Sequence, residues 1–454
     1  MAVATSFGCG ALVALDHYRQ CNGNDECAAA SGDASDAQLA DTGVDSPTSV
    51  DAGCSQSSQC PAKTPLCDRN KCVGISGLVR GTSGHICVLT DQQALWCWGQ
   101  NASGQVGINS PASTVVQPAR VPIPNDQPVA QAMTSSSATC ALTGGVYPQV
   151  FCWGDAPGTT QTKKPNGFVN LTQTPDQIAL VGSTACAHLL SGAVSCWGDN
   201  GDGQLGCGVG DGGVMPIGSN PNAPTALPGT LDEIALALHS SCGRKAGSGD
   251  VSCWGSNTGG VLAQPLDGGA NCLSVTSTIS TQNKLTKLWG TDEYFCAKDY
   301  NGAHFCWGAS ESCSILGTMC SAFEAIPQPK ALQFTDVPTS KFYGPTDFAI
   351  LAPGWRHACA AMKDGTVWCW GQNDHGQVGN PNEKGTPLPD PVQVTGLKGQ
   401  VIDLASYRHM SCALLTTGNV VCWGQNGEAM KVDGRLGVGS LEMDVRTPTP
   451  VAWP

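Results

Sequence analysis

Twenty-five cysteines, eight histidines and one aspartate-rich loop are the groups in this 454-residue chain whose chemistry needs deciding first. Thiols could run redox catalysis or bind a metal, but no C-x-x-C occurs to do either. Four histidines, His85, His239, His357 and His409, each stand two or three residues before a cysteine. A residue recurring in register belongs to the hydrogen bonding of a repeat, so all four read as structural. No metal-ligand spacing joins His188, His304 or His375. Asp199-Asn200-Gly201-Asp202-Gly203 imitates a calcium loop, yet Gly stands third and the bidentate Glu is missing. It reads as a turn. With no Walker loop and no G-x-S-x-G elbow, the sequence nominates no catalytic residue, no metal ligand and no cofactor.

The cysteines point instead to the elements that carry them. Seven of the 12 tryptophans stand in one tripeptide, Cys-Trp-Gly, at residues 97–99, 152–154, 196–198, 253–255, 306–308, 369–371 and 422–424. Self-similarity at such a period is the mark of a repeat architecture. Each tripeptide has a cysteine upstream, giving the pairs Cys87 with Cys97, Cys140 with Cys152, Cys186 with Cys196, Cys242 with Cys253, Cys296 with Cys306, Cys359 with Cys369 and Cys412 with Cys422. In the sixth unit, Lys363-Asp364-Gly365 lies midway between apolar flanks, and Gly192, Gly302 and Gly418 hold the same place elsewhere. A three-residue hairpin loop with Gly in the left-handed position sets the two cysteines opposite one another, at about 4.5–5.5 Å between Cα atoms. That separation suits a disulfide.

Alternation along the second strand of the sixth hairpin puts Val367 and Cys369 on one face, with Trp368 and Trp370 on the other. Both faces are apolar, so the sheet must be covered twice. Seven such sheets cover one another by closing into a ring, a propeller, with the tryptophans between blades. A second element, QNASGQVG after the first tripeptide, returns as DNGDGQLG, QNDHGQVG and a split QN and GRLG. Asn and Gly at these spacings make tight turns.

The unit H-x-C-x-L…D-G-x-V-x-C-W-G-Q-N-x-x-G-Q-V-G resembles the regulator of chromosome condensation repeat, in the cysteine-containing form of exported bacterial proteins. The resemblance covers roughly residues 73–454 and implies an all-β, seven-bladed propeller of four-stranded blades whose chain ends meet. That family includes nucleotide exchange factors, chromatin binders and a secreted β-lactamase inhibitor, so the resemblance implies a rigid, non-enzymatic disc that binds another protein. The stretches after the second, fourth and fifth tripeptides lack an intact GQLG turn. They are the expected partner-binding loops, with Lys163, Lys164 and Phe168 as candidate contacts.

Composition narrows the partners. Thirty-six acids against 23 bases give a net charge of -13, which argues against nucleic acid. So many cysteines fit an oxidising compartment. The expected location is extracytoplasmic: a bacterial surface, an outer membrane or the medium. The partner is an unidentified protein or glycan and the chain is expected to be a monomer. Inhibition of an enzyme, or polysaccharide cleavage by carboxylates near the axis, are the alternatives.

Ahead of the repeats come three segments. Residues 1–27 look like a leader that lacks a positive start; Gly8-Cys9 resembles a lipoprotein cleavage site, making Cys9 a candidate lipid attachment. Residues 28–53 contain five Asp and no Lys or Arg, the composition of a disordered tether. Cysteines 54, 60, 67 and 72 form a knot with three available connectivities, of which Cys54–Cys67 with Cys60–Cys72 is favoured. It reads as a folded spacer. The remaining pairs are Cys21–Cys27, Cys313–Cys320 and Cys207–Cys272.

Overall fold

A computed structural model describes residues 53–454 except 82–83, 158–161, 207–224, 228–229, 246, 264–272, 280–283, 309–325, 333–346, 384–386 and 429–430. Cys9, Cys21, Cys27, Cys207, Cys272, Cys313 and Cys320 lie outside the described residues, and so does nearly all of the acidic segment.

Seven four-stranded sheets form a seven-bladed β-propeller; six are antiparallel throughout, and in blade 2 the short strand Arg80–Gly81 joins the inner edge parallel to Val129–Thr134. Blade 6 is typical: its strands run Phe348–Pro353, His357–Met362, Val367–Gly371 and Leu388–Gln393, paired in that order. Blade 7 repeats it with Val401–Ser406, Met410–Leu415, Val420–Gln425 and Asp444–Pro450. First strands contact one another from blade 2 through blade 5 and from blade 6 through blade 7 to blade 1, so they ring the axis. Blade 2 departs at its outer edge, where two isolated bridges, Phe151 to Phe168 and Gly154 to Thr162, replace a fourth strand.

The hairpin register is the one the spacing predicts, with Cys359 opposite Cys369 and Val367 opposite Ala361. Gly365 turns the loop at φ +85°, a conformation only Gly adopts without strain. In each blade the second and third strands carry the cysteine pair, Cα atoms 4.0–4.1 Å apart, with the sulfurs bonded. That is closer than an uncrosslinked ladder, because the bond draws the two backbones together. The two faces part as alternation requires. Val367 and Cys369 pack with Trp423 of blade 7, whereas Trp368 and Trp370 pack with Tyr294 and Cys296 of blade 5.

Neighbouring blades share one polar joint. In blade 1 the turn Gly104-Gln105-Val106-Gly107 offers the Gln105 carbonyl, which accepts from the Trp153 indole at 2.9 Å and the Thr139 hydroxyl at 2.8 Å. Gln204 does the same for Trp254 and Ser241, and Gln377 for Trp423 and Ser411. Both lone pairs of one carbonyl are thereby used. An asparagine braces each turn from inside; the buried Asn426 accepts from Leu436 N–H and donates to the carbonyls of Ser440 and Glu442.

The turn of the fourth unit corrects an expectation. Although it reads SNTGGVLA, Asn257 accepts from Leu262 N–H, and the Val261 carbonyl accepts from Trp307 at 3.0 Å. Backbone atoms make the joint, so Gln is dispensable at that position. Blade 2 does break the pattern. The Trp197 indole that should find a carbonyl there is buried with no hydrogen-bond partner.

The knot is folded against the ring. Its cysteines are joined 54 to 67 and 60 to 72. Leu66 and Val73 are buried in the same cluster as Leu414 of blade 7 and Trp98 of blade 1. Asp68 meets Arg120 of blade 1 at 3.2 Å, Arg69 meets Asp126, and Ser57 N–H donates to the Pro454 carbonyl at 3.0 Å. The knot thus meets Pro454 over the seam between blades 7 and 1. Across that seam the Trp98 indole donates to the Leu436 carbonyl and the Tyr407 hydroxyl to the Val79 carbonyl.

Candidate binding surface

Because strands alternate in direction, turns between first and second strands emerge on one face of the disc, and the hairpin turns on the other. The first kind differs sharply around the ring. Blades 2 and 3 present Ser135-Ser136-Ser137 and Gly182-Ser183, which are small and uncharged. Blades 6 and 7 present Gly354-Trp355-Arg356 and Tyr407-Arg408-His409.

Backbone contact holds these two turns together. A Cβ on Gly354 would lie 2.7 Å from the Tyr407 carbonyl oxygen, so only Gly admits the approach. The result is a cation–aromatic stack. The Arg356 guanidinium lies 3.9 Å from the centre of the Trp355 ring and that of Arg408 lies 4.8 Å from it. The Trp355 indole donates to Glu293 Oε1 at 3.1 Å, and Arg356 stands 3.9 Å from the same oxygen. The His409 ring meets Trp355 edge-on at 5.3 Å, with the His375 ring 5.0 Å further out. His375 Nδ1 pairs with Asp444 at 2.8 Å. Burial pushes His409 down to about 4, helped by His375 and Arg408, so it is neutral at pH 7.

The four recurring histidines divide. Those two residues before a cysteine are structural: His85 Nε2 meets Thr139 and His357 Nε2 meets Ser411. Each hydroxyl spends its proton on the joint carbonyl, so the imidazole must be the donor. Burial pushes both rings down to about 3. The pair three residues before a cysteine, His239 and His409, sit on the open face instead; His239 pairs with Asp202 at 2.6 Å.

Lys163 and Lys164 are exposed on the outer edge of blade 2, where the Lys163 carbonyl accepts from Asn109 N–H. Phe168 is 56% exposed and edges onto Phe151. No contact ties these three to the Trp355 stack, which the sequence reading missed. Its signal was present: Trp355 is a tryptophan outside the repeated tripeptide, and Arg-His recurs at 356–357 and 408–409.

Acidic groups near the axis are engaged. Glu233 accepts from Leu288 N–H at 3.0 Å and pairs with Lys287, and Asp403 accepts from Leu78 N–H at 2.8 Å and pairs with Arg80. Both lace one blade to the next. Asp199 and Asn200 cap backbone amides of their own turn, as Asx turns do. Cys54, Cys60 and Cys72 bring three sulfurs within 4.8 Å of one another, but all are committed to disulfides and offer no thiolate to a metal.

Family models for the regulator of chromosome condensation (RCC1) repeat match residues 93–142, and 351–377 with 401–428. The chain is 24% identical over 371 residues to the ultraviolet-B receptor UVR8 of Arabidopsis thaliana, covering 80% of this chain and 78% of that protein. It is 25% identical over 342 residues to the secretion-regulating guanine nucleotide exchange factor of Mus musculus, covering 69% and 70%. Among solved structures it resembles human WBSCR16, with TM-score 0.63, 20% identity and coverage of 80% and 94%. Prp20p of Saccharomyces cerevisiae, whose structure was described with its binding to Gsp1p and histones, gives TM-score 0.62 at 17% identity, covering 80% and 87%.

Proposed function

This chain is an RCC-type repeat protein, and from that premise we propose a non-enzymatic scaffold that binds a protein partner through the face bearing Trp355. The observation that carries the reading is the Trp355 ring with the guanidinium groups of Arg356 and Arg408 over it, on two abutting turns. Trp and Arg dominate binding energy at protein interfaces. A relative of the same fold, Prp20p, is described as binding proteins. The axial carboxylates Glu233 and Asp403 are spent on inter-blade bonds, which favours binding over hydrolysis.

The proposal extends to location. Nine cysteine pairs among the described residues support an extracytoplasmic protein with hairpin cross-links. A lipid on Cys9 would tether it, and mass spectrometry of the N-terminal peptide from membranes tests that. Capture of the partner as an inhibited hydrolase would select the inhibitor reading.

The test is a pull-down with the oxidised protein beside its Trp355→Ala and Arg408→Ala variants, quantified by mass spectrometry. A partner held by the wild type and lost by both variants is the expected result. Equal retention by all three removes this face from consideration, and Lys163, Lys164 and Phe168 become the next to change.

A further inference from the structure

We infer that the partner meets this face with a short acidic segment, one carboxylate seated on Arg408 beside Trp355. The inference rests on the reading of the face as the docking surface. The other seven described arginines each lie 3.9 Å or less from a carboxylate. Arg408 is the described arginine with no such pair, although the chain carries 36 acids.

Its guanidinium is exposed, yet it is not left to wander, since it lies over the Trp355 ring at 4.8 Å. A planar fork held over an indole presents donors in the geometry a carboxylate accepts in pairs. The neighbouring acids are already used. Glu293 receives Trp355 and Arg356, Asp444 receives His375, and Asp374 receives the Gln372 amide at 2.5 Å. His409 stays neutral and takes no share of the anion.

Net charge decides the length of the ligand. At -13 the whole protein repels a long polyanion, while fields are screened beyond about 8 Å at physiological salt. A local cation therefore attracts the few carboxylates of a short protein loop or tail, and not a nucleic acid.

The experiment uses the labelled hexapeptide EDLEDL and its uncharged isostere QNLQNL, followed by fluorescence anisotropy with the oxidised full chain. EDLEDL should bind at least about tenfold more tightly than the isostere, and Arg408→Gln should erase about that factor. Arg408 is exposed, so an unchanged melting temperature in the variant separates binding from folding. Lys363→Gln, on the hairpin turn of the opposite face, should bind as the wild type does. Equal binding of both peptides, or an Arg408→Gln variant that binds EDLEDL undiminished, overturns the inference. If the partner captured in the pull-down is still lost with Trp355→Ala in that case, the docking face stands and only its acidic preference falls.

Discussion

The Trp423 indole of blade 7 donates to the Gln377 carbonyl of blade 6 at 2.8 Å, while the equivalent indole of Trp197 is buried and donates to nothing. The two residues occupy the same place in their repeats, so they differ in one hydrogen bond. The sequence after Cys152-Trp153-Gly154 carries no GQLG to supply the acceptor.

That pair makes a controlled comparison. Replacing either by Phe removes similar volume, but Trp423→Phe also removes a made bond. It should cost about 1–2 kcal/mol more than Trp197→Phe in urea denaturation. Equal costs would mean that the joint contributes no hydrogen-bond energy.

Stability should fall in acid through the buried imidazoles. An unfolded histidine titrates near 6.5, whereas burial lowers His85 and His357 to about 3 and His409 to about 4. Below pH 6.5 the unfolded chain takes up protons the native state refuses, so stability is full above that pH and declines as pH falls toward 4. Each such group contributes up to about 1.4 kcal/mol per pH unit. His357→Gln, whose amide can still donate to Ser411, should flatten the slope by about one proton. A slope identical to the wild type counts against a neutral buried imidazole.

Cross-linking supports a further expectation. Closing a loop of about ten residues is worth roughly 2–3 kcal/mol in the chain-entropy model, and each blade carries one such closure. Dithiothreitol should lower the melting temperature sharply, and a non-reducing peptide map should join Cys359 to Cys369. Fully titratable thiols in the native protein with unchanged melting would contradict the pairing.

The knot should behave as part of the ring. Leu66 is fully buried against blades 1 and 7, so Leu66→Ala should cost about 2–5 kcal/mol. A chain begun at Val73 should melt well below one begun at Gly53. Matching melting curves would return the knot to the status of a spacer.

How much of this was legible beforehand depends on where the information sits. Hairpin register follows from cysteine spacing and the glycine between, because alternation is local. Ring closure follows from two apolar faces per hairpin. The joint was illegible in the fourth unit, since a main-chain carbonyl makes it and SNTGGVLA hides it behind unlike side chains. The Trp355 stack escaped for another reason: its parts come from turns about 50 residues apart that meet only after blades 6 and 7 pack. No periodicity marks a contact formed by two breaks in the repeat. Lys163, Lys164 and Phe168 were noticed as departures from pattern, and departure by itself places nothing near anything else.

Among the described residues, the indoles of Trp153, Trp254, Trp307 and Trp423 reach back to a turn earlier in the chain, and one indole does the opposite. Trp98 hangs on Leu436, 338 residues ahead of it. As the polypeptide leaves the ribosome, every other described tryptophan of this kind that makes the bond finds its acceptor already synthesised. Trp98 alone must wait for the last blade to emerge. The circle therefore has a definite final latch, and truncation late in translation would leave that indole, and the seam beneath the knot, without a mate.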